Sequence, residues 1–347
     1  MVTPRAFPEV FVIGTGRCGS TLMSELIRLH PDILSLSEFF MTMANTGFVA
    51  NRFDGRKLWR LLSKASPAVK VALNYTPPPK EFLYRYPEGG PFTRDTLPPL
   101  LYTTLPHLTD TPEEAYFALK EDILARPAAS LSDQYRFLFS LLMKRFDKKM
   151  WIERSGGSLS TLPALLKHFP NAKYVHVTRD GRDVAMSIAK HPPTRLFAYN
   201  WMNTKKYGID ILRPPFILGT NPVLSAVEPL LTPLLGMEQL RDKPMAPADI
   251  GRFWSEMVEV GFESIRRIPT DNILTMRYED LIAAPRETLI RFMDFIDPDL
   301  TYEEWLDEAE ALPRPGRQAW RDLPPDELKA LDAACAKGMA ITGYEMS

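Results

Sequence analysis

The segment Val10–Met23, VFVIGTGRCGSTLM, contains residue types that could bind an anion. An apolar run leads into Gly14, Gly16 and Gly19, whose missing Cβ allows a tight turn and close approach of the backbone to a ligand. A helix is predicted to begin near Ser20, and its unpaired N–H groups and positive dipole end favour negative charge. The order of strand, glycine loop and helix therefore predicts a phosphate-binding loop.

Side chains in this loop add further donors. Arg17 carries a permanent charge on a planar fork of N–H groups, and Ser20 and Thr21 carry hydroxyls. Gly14 and Gly19 have the spacing of a Walker A motif, but Ser20 stands where that motif has its lysine. Because that lysine normally reaches the β- and γ-phosphates, its absence disfavours an ordinary kinase or ATPase.

Cys18 lies in the same loop, where a helix start could lower the pKa of a thiol and make it a nucleophile. A cysteine phosphatase needs an arginine six residues later, and that position is Ser24. We therefore predict that Cys18 serves as a small loop residue. Since Cys335 is the only other cysteine, the chain has neither a disulfide framework nor a metal-ligand spacing.

A second strand, turn and helix is predicted at Lys173–Lys190, KYVHVTRDGRDVAMSIAK. Arg179 lies at the end of this strand, and Ser187 falls two turns into the helix. Asp180 or Asp183 could cap the helix through its carboxylate. An arginine at a strand end is by itself more often a surface residue than a ligand contact, so this segment gains meaning only beside the first.

Together the two segments resemble the sulfotransferases that use adenosine 3′-phosphate 5′-phosphosulfate (PAPS) as donor. In that family a P-K/R-S-G-S/T-S/T loop binds the 5′-phosphosulfate, and residues 16–21, GRCGST, are similar. An arginine followed eight residues later by a serine binds the 3′-phosphate, which is the spacing of Arg179 and Ser187. The residues that the resemblance implies at the donor are Gly16, Arg17, Cys18, Gly19, Ser20, Thr21, Arg179 and Ser187.

Two later segments resemble the same family. Residues 277–281, RYEDL, are similar to a Y-E-D-L segment whose tyrosine lies close to the nucleotide, although a buried aromatic at a helix start explains Tyr278 equally well. Residues 314–320, RPGRQAW, resemble an R-x-G loop with a following tryptophan that closes over the 3′-phosphate. The register of this loop is open by a residue or two, so its candidates are Arg314, Gly316 and Arg317.

The resemblance also implies a mechanism and its catalytic residues. Sulfuryl transfer is in line, so the protein positions the reactants, stabilises charge and supplies a base. Arg17 would stabilise the leaving 5′-phosphate. Glu38 is the predicted base, because it follows the second predicted strand and because family members place a glutamate here after H-P-x-I/V/L, which residues 30–33, HPDI, match. A helix-capping role for Glu38 and a histidine base, His107, remain alternatives.

A further catalytic residue is implied by residues 153–155, ERS. They resemble the family's E-K-S/T segment, whose lysine approaches the transferred group. Arg154 takes that role here if the resemblance holds. An arginine keeps the charge of the lysine but changes its geometry.

Short apolar runs, most of them followed by helical patterns, predict the elements that position these residues. This alternation predicts an α/β fold with a mainly parallel central sheet flanked by helices, of the P-loop-like sulfotransferase type. The predicted strands are Glu9–Ile13, Ile33–Leu36, Met150–Glu153, Lys173–Thr178 and Asn272–Met276. The predicted helices are Ser20–His30, Ser158–Phe169, Gly181–Ala189 and Arg286–Ile296.

Two insertions interrupt the alternation, and we predict a single domain over residues 1–347 that contains both. They lie at about residues 41–145 and 191–245, and Thr76–Glu113 alone holds nine prolines. Such long segments are typical of lids and binding loops, so we predict irregular, lid-like insertions, with a structural cover over the sheet as the alternative. The order of the sheet strands does not follow from the sequence.

Composition bounds the class of protein and its partners. With a net charge of −1 at pH 7, the chain has no basic excess for a nucleic-acid partner. No apolar run is long enough to span a membrane, which together with the cysteine count favours a cytoplasmic protein. A lipophilic or aromatic acceptor is suggested by Leu224–Met237 and by aromatic residues, although core packing explains them as well. These aromatic residues are Phe39, Phe40, Phe197, Tyr199 and Trp201.

We therefore predict an enzyme that transfers a sulfuryl group from PAPS to a hydroxyl of a small-molecule, lipid or sugar acceptor, leaving adenosine 3′,5′-bisphosphate and needing no metal. One alternative is a P-loop kinase with a displaced basic residue. Another is a non-catalytic nucleotide-binding module. The acceptor and the oligomeric state do not follow from the sequence.

Overall fold

The computed structural model describes residues 7–43, 46–73, 78–217, 219–234 and 243–346. Its central sheet has five parallel strands in the order β2-β5-β1-β6-β7. These strands are β1 (Val10–Ile13), β2 (Ile33–Ser37), β5 (Met150–Arg154), β6 (Lys173–Thr178) and β7 (Ile273–Arg277). A separate antiparallel pair consists of β3 (Arg52–Phe53) and β4 (Ala129–Ser130). All five predicted strands and the α/β class are confirmed.

Helices cover the sheet and fill both insertions. Helices α1 to α9 are Ser20–Arg28, Phe39–Met43, Gly55–Ser63, Pro67–Leu73, Pro99–Tyr102, Thr104–Leu108, Pro112–Ala118, Lys120–Ala125 and Leu131–Arg145. Helices α10 to α18 are Leu162–His168, Gly181–Ala189, Pro192–Lys205, Pro222–Leu234, Pro247–Ile265, Tyr278–Ala283, Pro285–Ile296, Glu303–Glu310 and Pro325–Thr342. None of the described helices is long and apolar enough to cross a bilayer.

The central strands are apolar because they are buried on both faces. Val10, Phe11, Val12 and Ile13 of β1 are all at most 1% exposed, since β5 and β6 flank the strand and helices cover it. The ring of Phe11 packs against Phe169 and against other aromatic rings from the neighbouring strands. A short apolar run without alternation therefore marked each strand correctly.

The prediction of irregular insertions is wrong for most of the described residues. Residues 41–145 contain helices α3 to α9, and residues 191–245 contain α12 and α13. The error has a physical reason. Several of these helices have a proline in their first turn, as at Pro99, Pro112 and Pro192, where the missing N–H costs nothing. Residues 44–45, 74–77, 218 and 235–242 of these insertions lie outside the described residues.

Two C-terminal helices fix the start of α11, the helix of the second predicted anion segment. The indole of Trp254 in α14 packs directly on Gly181, where a Cβ would lie 2.2 Å from the ring. The same indole packs on Gly338 of α18, where a Cβ would lie 2.5 Å away. These close contacts require glycine at both positions and hold α11 in place behind β6.

Candidate active site

The residues predicted for catalysis and donor binding meet at one edge of the sheet. Because all five strands run parallel, their carboxyl ends face the same side, where ligands bind in open α/β sheets. Arg17 follows β1, Glu38 follows β2 and Arg154 ends β5, while Arg179 follows β6 and Tyr278 follows β7. With β1 in the centre, its glycine loop lies between the segments that follow β5 and β6.

The loop after β1 has the backbone of an anion-binding turn. Gly16 and Gly19 have φ angles of 75° and 95°, in the left-handed region that glycine adopts without strain. Arg17 between them has φ of 56°, an uncommon value for a residue with a side chain. The N-cap residue of α1 is Gly19, which has no side chain to cap the helix, and in the first turn Ser20 is buried and Thr21 is exposed.

Cys18 lies beneath this loop. Its side chain is fully buried, and burial raises the pKa of the Cys18 thiol above its ordinary value. Its Sγ fills the space next to Gly14, where a Cβ would lie only 2.6 Å from the sulfur. A thiol in this environment is a packing residue and a poor nucleophile, which agrees with the prediction for Cys18.

Glu38 is held in a strained position at the end of β2. Its φ is 57°, and its side chain is 10% exposed. One carboxylate oxygen accepts a hydrogen bond from Arg154 and the other accepts from the backbone N–H of Gly156 at 2.9 Å. Non-glycine residues with such backbone angles are costly and are concentrated at functional sites. Glu38 also precedes α2, and the backbone N–H of Thr42 donates to its carbonyl oxygen.

Arg154 holds the carboxylate of Glu38 in place. It is 2% exposed, and its Nε donates to the Ser24 hydroxyl at 2.6 Å and its Nη2 to the Ser37 hydroxyl at 2.8 Å. With Glu38 as the third partner, the guanidinium is enclosed by protein groups. The role implied by the resemblance, a cation next to the transferred group, stays a prediction, and the contacts of Arg154 in this structure hold the carboxylate of Glu38.

The alternative base, His107, has a different environment. Its imidazole is 6% exposed, with Nε2 at 3.0 Å from the Ser35 hydroxyl and Nδ1 at 3.5 Å from Glu25. Burial, together with the charges of Arg154 and Arg28, lowers the pKa of His107 to about 3. Both ring nitrogens thus have protein partners in the interior, which favours Glu38 over His107.

Glu153 is a buried carboxyl that sequence reasoning did not single out. It lies in β5 and is 1% exposed, and burial raises its pKa to about 8 although hydrogen bonds from Ser155 and Phe40 oppose the rise. Burial therefore favours the neutral form of Glu153.

At the other end of the site, Arg179, Tyr278 and Gly316 pack together. The guanidinium of Arg179 lies over the Tyr278 ring, 4.4 Å from its centroid, in a cation–π contact. A Cβ at Gly316 would lie 3.6 Å from Arg179 Nη2 and 3.8 Å from the Tyr278 hydroxyl. The Tyr278 ring also covers Gly19, where a Cβ would lie 2.3 Å from it. The loop after β1 is therefore in direct contact with this second cluster.

These residues line a cavity of about 480 Å³. Its lining residues are Arg179, Asp183, Tyr278, Glu279, Ile282, Pro315, Gly316, Arg317, Gln318, Arg321 and Asp322. Arg317 faces the cavity and its Nη2 bonds to Asp322 at 2.7 Å, whereas Arg314 does not line it and bonds to the carbonyl oxygen of Pro313. Among the candidates in residues 314–320, Gly316 and Arg317 are thus the ones brought to the cavity.

One hydrogen-bond donor of Arg179 is not used by the described residues. Its Nε is buried and has no hydrogen-bond partner among the described residues, although such donors are nearly always satisfied in proteins. Asp183 lies 3.7 Å from Arg179 Nη2. Burial, with the neighbouring charges of Asp180 and Glu279, raises the pKa of Asp183 to about 6, although Arg179 opposes the rise. Asp180, not Asp183, caps α11 by accepting from the backbone N–H of Arg182.

Ser187 contacts Arg17 in the loop after β1. Its hydroxyl accepts from Nε of Arg17 at 3.2 Å, so the basic residue of one predicted phosphate site touches the serine of the other. Sequence reasoning missed the other partner of Arg17, which is Glu81. It also missed His191, which bonds to Glu81 in turn. Glu81 lies in the proline-rich segment and carries no motif, so the sequence held no signal for it.

The residues suggested for a lipophilic acceptor belong mostly to the core. Phe39 is fully buried and Phe40 and Trp201 are 6% exposed. Phe39 and Phe40 pack against each other and against Tyr135, so core packing explains them. Of the segment Leu224–Met237, residues 235–237 lie outside the described residues. Phe39, Phe40 and Trp201 therefore give no support for a lipophilic acceptor, while Phe197 and Tyr199 are half-buried.

Comparison with known families identifies the class of protein. A model described as "Sulfotransferase family" matches residues 8–210, and one described as "Sulfotransferase domain" matches residues 157–312. Because the first match spans more than half of the chain, this chain belongs to the sulfotransferase family and is an enzyme of that class. The kinase and the non-catalytic module are thereby not supported. No curated protein matches the chain.

Solved structures give a more distant likeness. The sulfotransferase domain from the curacin biosynthetic pathway is 13% identical, with a TM-score of 0.48, over 99% of this chain and all of that one. The sulfotransferase domain of the Synechococcus PCC 7002 olefin synthase is 16% identical, with a TM-score of 0.45, over 100% of this chain and 99% of that one. Sulfotransferase STF9 from Mycobacterium avium is 15% identical, with a TM-score of 0.45, over 99% of this chain and 78% of that one.

Proposed function

We propose that this enzyme transfers a sulfuryl group from PAPS to a hydroxyl of a small-molecule acceptor, with Glu38 as general base. The observation that carries the proposal is the continuous surface from the loop after β1, across Tyr278, to the unpaired Nε of Arg179. It joins two anion-binding groups on one side of the sheet. A nucleotide with charge at both its 5′ and 3′ positions matches that arrangement, and a nucleoside triphosphate does not.

The residues at the cavity fit the 3′-phosphate of such a donor. The buried Nε of Arg179 has no partner among the described residues, and a phosphate oxygen at the cavity would satisfy it. Gly316 lies against Arg179 and Tyr278, close enough that a phosphate could also reach the backbone of its loop. Arg317 reaches the same cavity from the outside, where its side chain is 81% exposed and free to reorient.

The loop after β1 fits the 5′ end. Its left-handed turn and the uncapped start of α1 direct N–H groups at one point, and Arg17 adds a positive charge there. PAPS, when bound, would supply the sulfuryl group and a phosphate as leaving group. Arg17 and the loop N–H groups would stabilise the charge that develops on that leaving phosphate.

Glu38 is proposed to take the proton of the acceptor hydroxyl. It is a carboxylate at the carboxyl end of β2 whose oxygens each have one protein donor, which leaves a lone pair on each for the acceptor. Arg154 and the N–H of Gly156 fix its direction, so it needs no reorganisation when the acceptor binds. A hydroxyl placed between Glu38 and the sulfuryl group would give its proton to Glu38 and attack the sulfur in line, opposite the S–O bond that breaks to release the 5′-phosphate.

The test is transfer from labelled PAPS to a panel of phenols, aliphatic alcohols, sterols and sugars. Glu38→Gln keeps the shape of the side chain but removes the base. We expect transfer to fall by about 10²–10⁴-fold, the usual contribution of a general base, while adenosine 3′,5′-bisphosphate still binds. His107→Gln is the matched variant at the alternative base and should stay within about threefold of wild type.

Three results would contradict the proposal. Full activity of Glu38→Gln would exclude Glu38 as the base, and loss of activity only in His107→Gln would transfer that role. Failure of the wild-type protein to bind adenosine 3′,5′-bisphosphate would exclude PAPS as the donor. The acceptor panel also identifies the acceptor class. Transfer to sugars alone would contradict a lipophilic acceptor.

A further inference from the structure

Arg17 is held by a carboxylate that no motif predicts. Its Nη1 donates to Oε1 of Glu81, and its Nε donates to the Ser187 hydroxyl at 3.2 Å. Oε2 of Glu81 in turn lies 3.1 Å from Nε2 of His191. A chain of Arg17, Glu81 and His191 therefore links the loop after β1, the segment before α5 and the start of α12. We call it the counter-ion chain.

The hydrogen bonds around His191 determine which ring nitrogen carries the proton that is donated to Glu81. Its Nδ1 accepts from the backbone N–H of Thr194 at the start of α12 and lies 2.7 Å from the Thr194 hydroxyl. Nε2 is therefore the nitrogen that donates to Glu81. Burial acts to raise the pKa of Glu81, but the His191 hydrogen bond and the charge of Arg17 outweigh it and hold this pKa well below its usual range. Glu81 is thus a negatively charged carboxylate.

One guanidinium cannot neutralise two anions at full strength. A 5′-phosphosulfate or 5′-phosphate in the loop after β1 would bring its charge to the group that Glu81 already occupies. Glu81 is 14% exposed, so water screens the repulsion between the two anions poorly. Either the anion is rejected or Glu81 must lose Arg17 and find another cation. His191 already contacts Glu81, and an imidazole can become that cation by taking up one proton.

We propose that Glu81 is a displaceable counter-ion of the donor site. Binding of a nucleotide 3′,5′-bisphosphate moves Arg17 from Glu81 to the 5′ anion, and His191 takes up a proton and becomes the new partner of Glu81. This inference rests on the proposed function of the site. It gives Glu81 and His191 a role in the energetics of binding, acting through Arg17, without placing either against the reacting atoms.

Other charged groups lie near the imidazole. Lys190 precedes His191 at the end of α11, and Arg195 follows one turn later in α12, with its backbone N–H donating to the His191 carbonyl oxygen at 3.0 Å. The Arg195 guanidinium is turned to the carbonyl oxygen of Ala189. These cations oppose protonation of His191, and the Glu81 carboxylate favours it. Release of Arg17 from Glu81 therefore shifts the balance towards the imidazolium.

Calorimetric titration with adenosine 3′,5′-bisphosphate at pH 7.5 tests the proposal. Repeating it in two buffers of different ionisation enthalpy gives the number of protons taken up. For the wild type we expect uptake of a substantial fraction of one proton per nucleotide, with affinity falling as pH rises. Glu81→Gln should bind about 3- to 30-fold more tightly, since no carboxylate competes for Arg17, and should take up no proton.

Two further variants separate this role from mere support of the loop. His191→Gln leaves Glu81 without a cation after the exchange, so it should bind the nucleotide more weakly and without proton uptake. Thr103→Val removes a 2.7 Å hydrogen bond to the Glu81 carbonyl oxygen and keeps the carboxylate. If only the position of the segment mattered, Thr103→Val would behave like Glu81→Gln. We expect it to bind as the wild type does.

The outcomes are distinguishable. Wild-type binding without proton uptake, or unchanged or weaker binding by folded Glu81→Gln, overturns this inference and leaves the proposed function intact. Absence of any nucleotide binding by the wild type overturns both. The difference in proton count between the wild type and His191→Gln separates His191 from Asp183 at the cavity, so it decides the question even where Glu81→Gln does not fold.

Discussion

The two ends of the site differ in how their arginines are satisfied. At the end near Glu38, Arg154 is enclosed and bonded to two hydroxyls and a carboxylate. At the end near Tyr278, Arg179 has a carboxylate no closer than 3.7 Å, a ring beneath it and a buried Nε without a partner among the described residues. The first arginine bonds to three protein groups, and the second has a buried donor that none of the described residues satisfies.

This difference separates two uses of a buried guanidinium. A fully bonded arginine organises other groups, and removing it leaves buried polar atoms unpaired. An under-bonded arginine costs stability in the free protein and gains a partner only when an anion binds. We therefore expect the same substitution to damage folding at one end and binding at the other.

The largest effect is expected from Arg154→Met. Methionine fills much of the arginine volume but leaves Glu38 as a buried unpaired carboxylate and deprives Ser24 and Ser37 of their donor. The free energy of unfolding should fall by about 3–5 kcal/mol, the usual cost of breaking a buried ion pair from one side. Urea unfolding followed by circular dichroism measures it. Arg154→Lys, which keeps a charge but not the three-way geometry, should fall between the variant and the wild type.

A smaller effect on stability, and a large one on binding, is expected from Arg179→Met. Loss of a charged hydrogen bond to the 3′-phosphate should weaken binding of adenosine 3′,5′-bisphosphate by about 10- to 150-fold. Binding of adenosine 5′-phosphate should hardly change, and the free energy of unfolding should stay within about 1 kcal/mol of wild type. Calorimetry with both nucleotides makes the measurement. A stability loss equal to that of Arg154→Met would abolish the distinction between the two ends.

The smallest effect is expected from Asp183→Asn at the open end. Because the folded-state pKa of Asp183 is raised to about 6, the folded protein binds this proton more tightly than the unfolded chain does. The contribution of Asp183 to stability therefore falls as pH rises from about 4 to 6 and stays unfavourable at pH 7. Thermal unfolding at pH 4 and pH 7 should show the variant gaining on the order of 1 kcal/mol at pH 7 and much less at pH 4. An equal gain at pH 4 would mean that the carboxylate charge is not the cause.

Local chemistry made much of the fold predictable. The strands are short and rich in apolar residues, most completely in β1, and α11 begins and ends where the sequence predicted, because Asp180 caps it after a strand. The loop after β1 was equally predictable, since its glycines and the helix start are neighbours in sequence. The positions of Gly316 and Arg317 beside Arg179 needed the structure, because their register depends on packing against Tyr278.

The insertions and the counter-ion chain were not predictable for two different reasons. Prolines were interpreted as signs of irregular structure, although in the first turn of a helix they are favourable. Glu81 and His191 are 110 residues apart in sequence, and each is unremarkable in its own segment. Only tertiary packing places both next to Arg17. A contact of this kind has no local signature in a single sequence.

The packing of Tyr278 on Gly19 couples two parts of the site. One ring contacts both the loop after β1 and the guanidinium of Arg179. Since a Cβ at position 19 would lie 2.3 Å from the ring, nothing larger than glycine can be inserted without moving Tyr278. A substitution at Gly19 would therefore disturb the Arg179 cluster as well as its own loop, although the two segments are far apart in sequence.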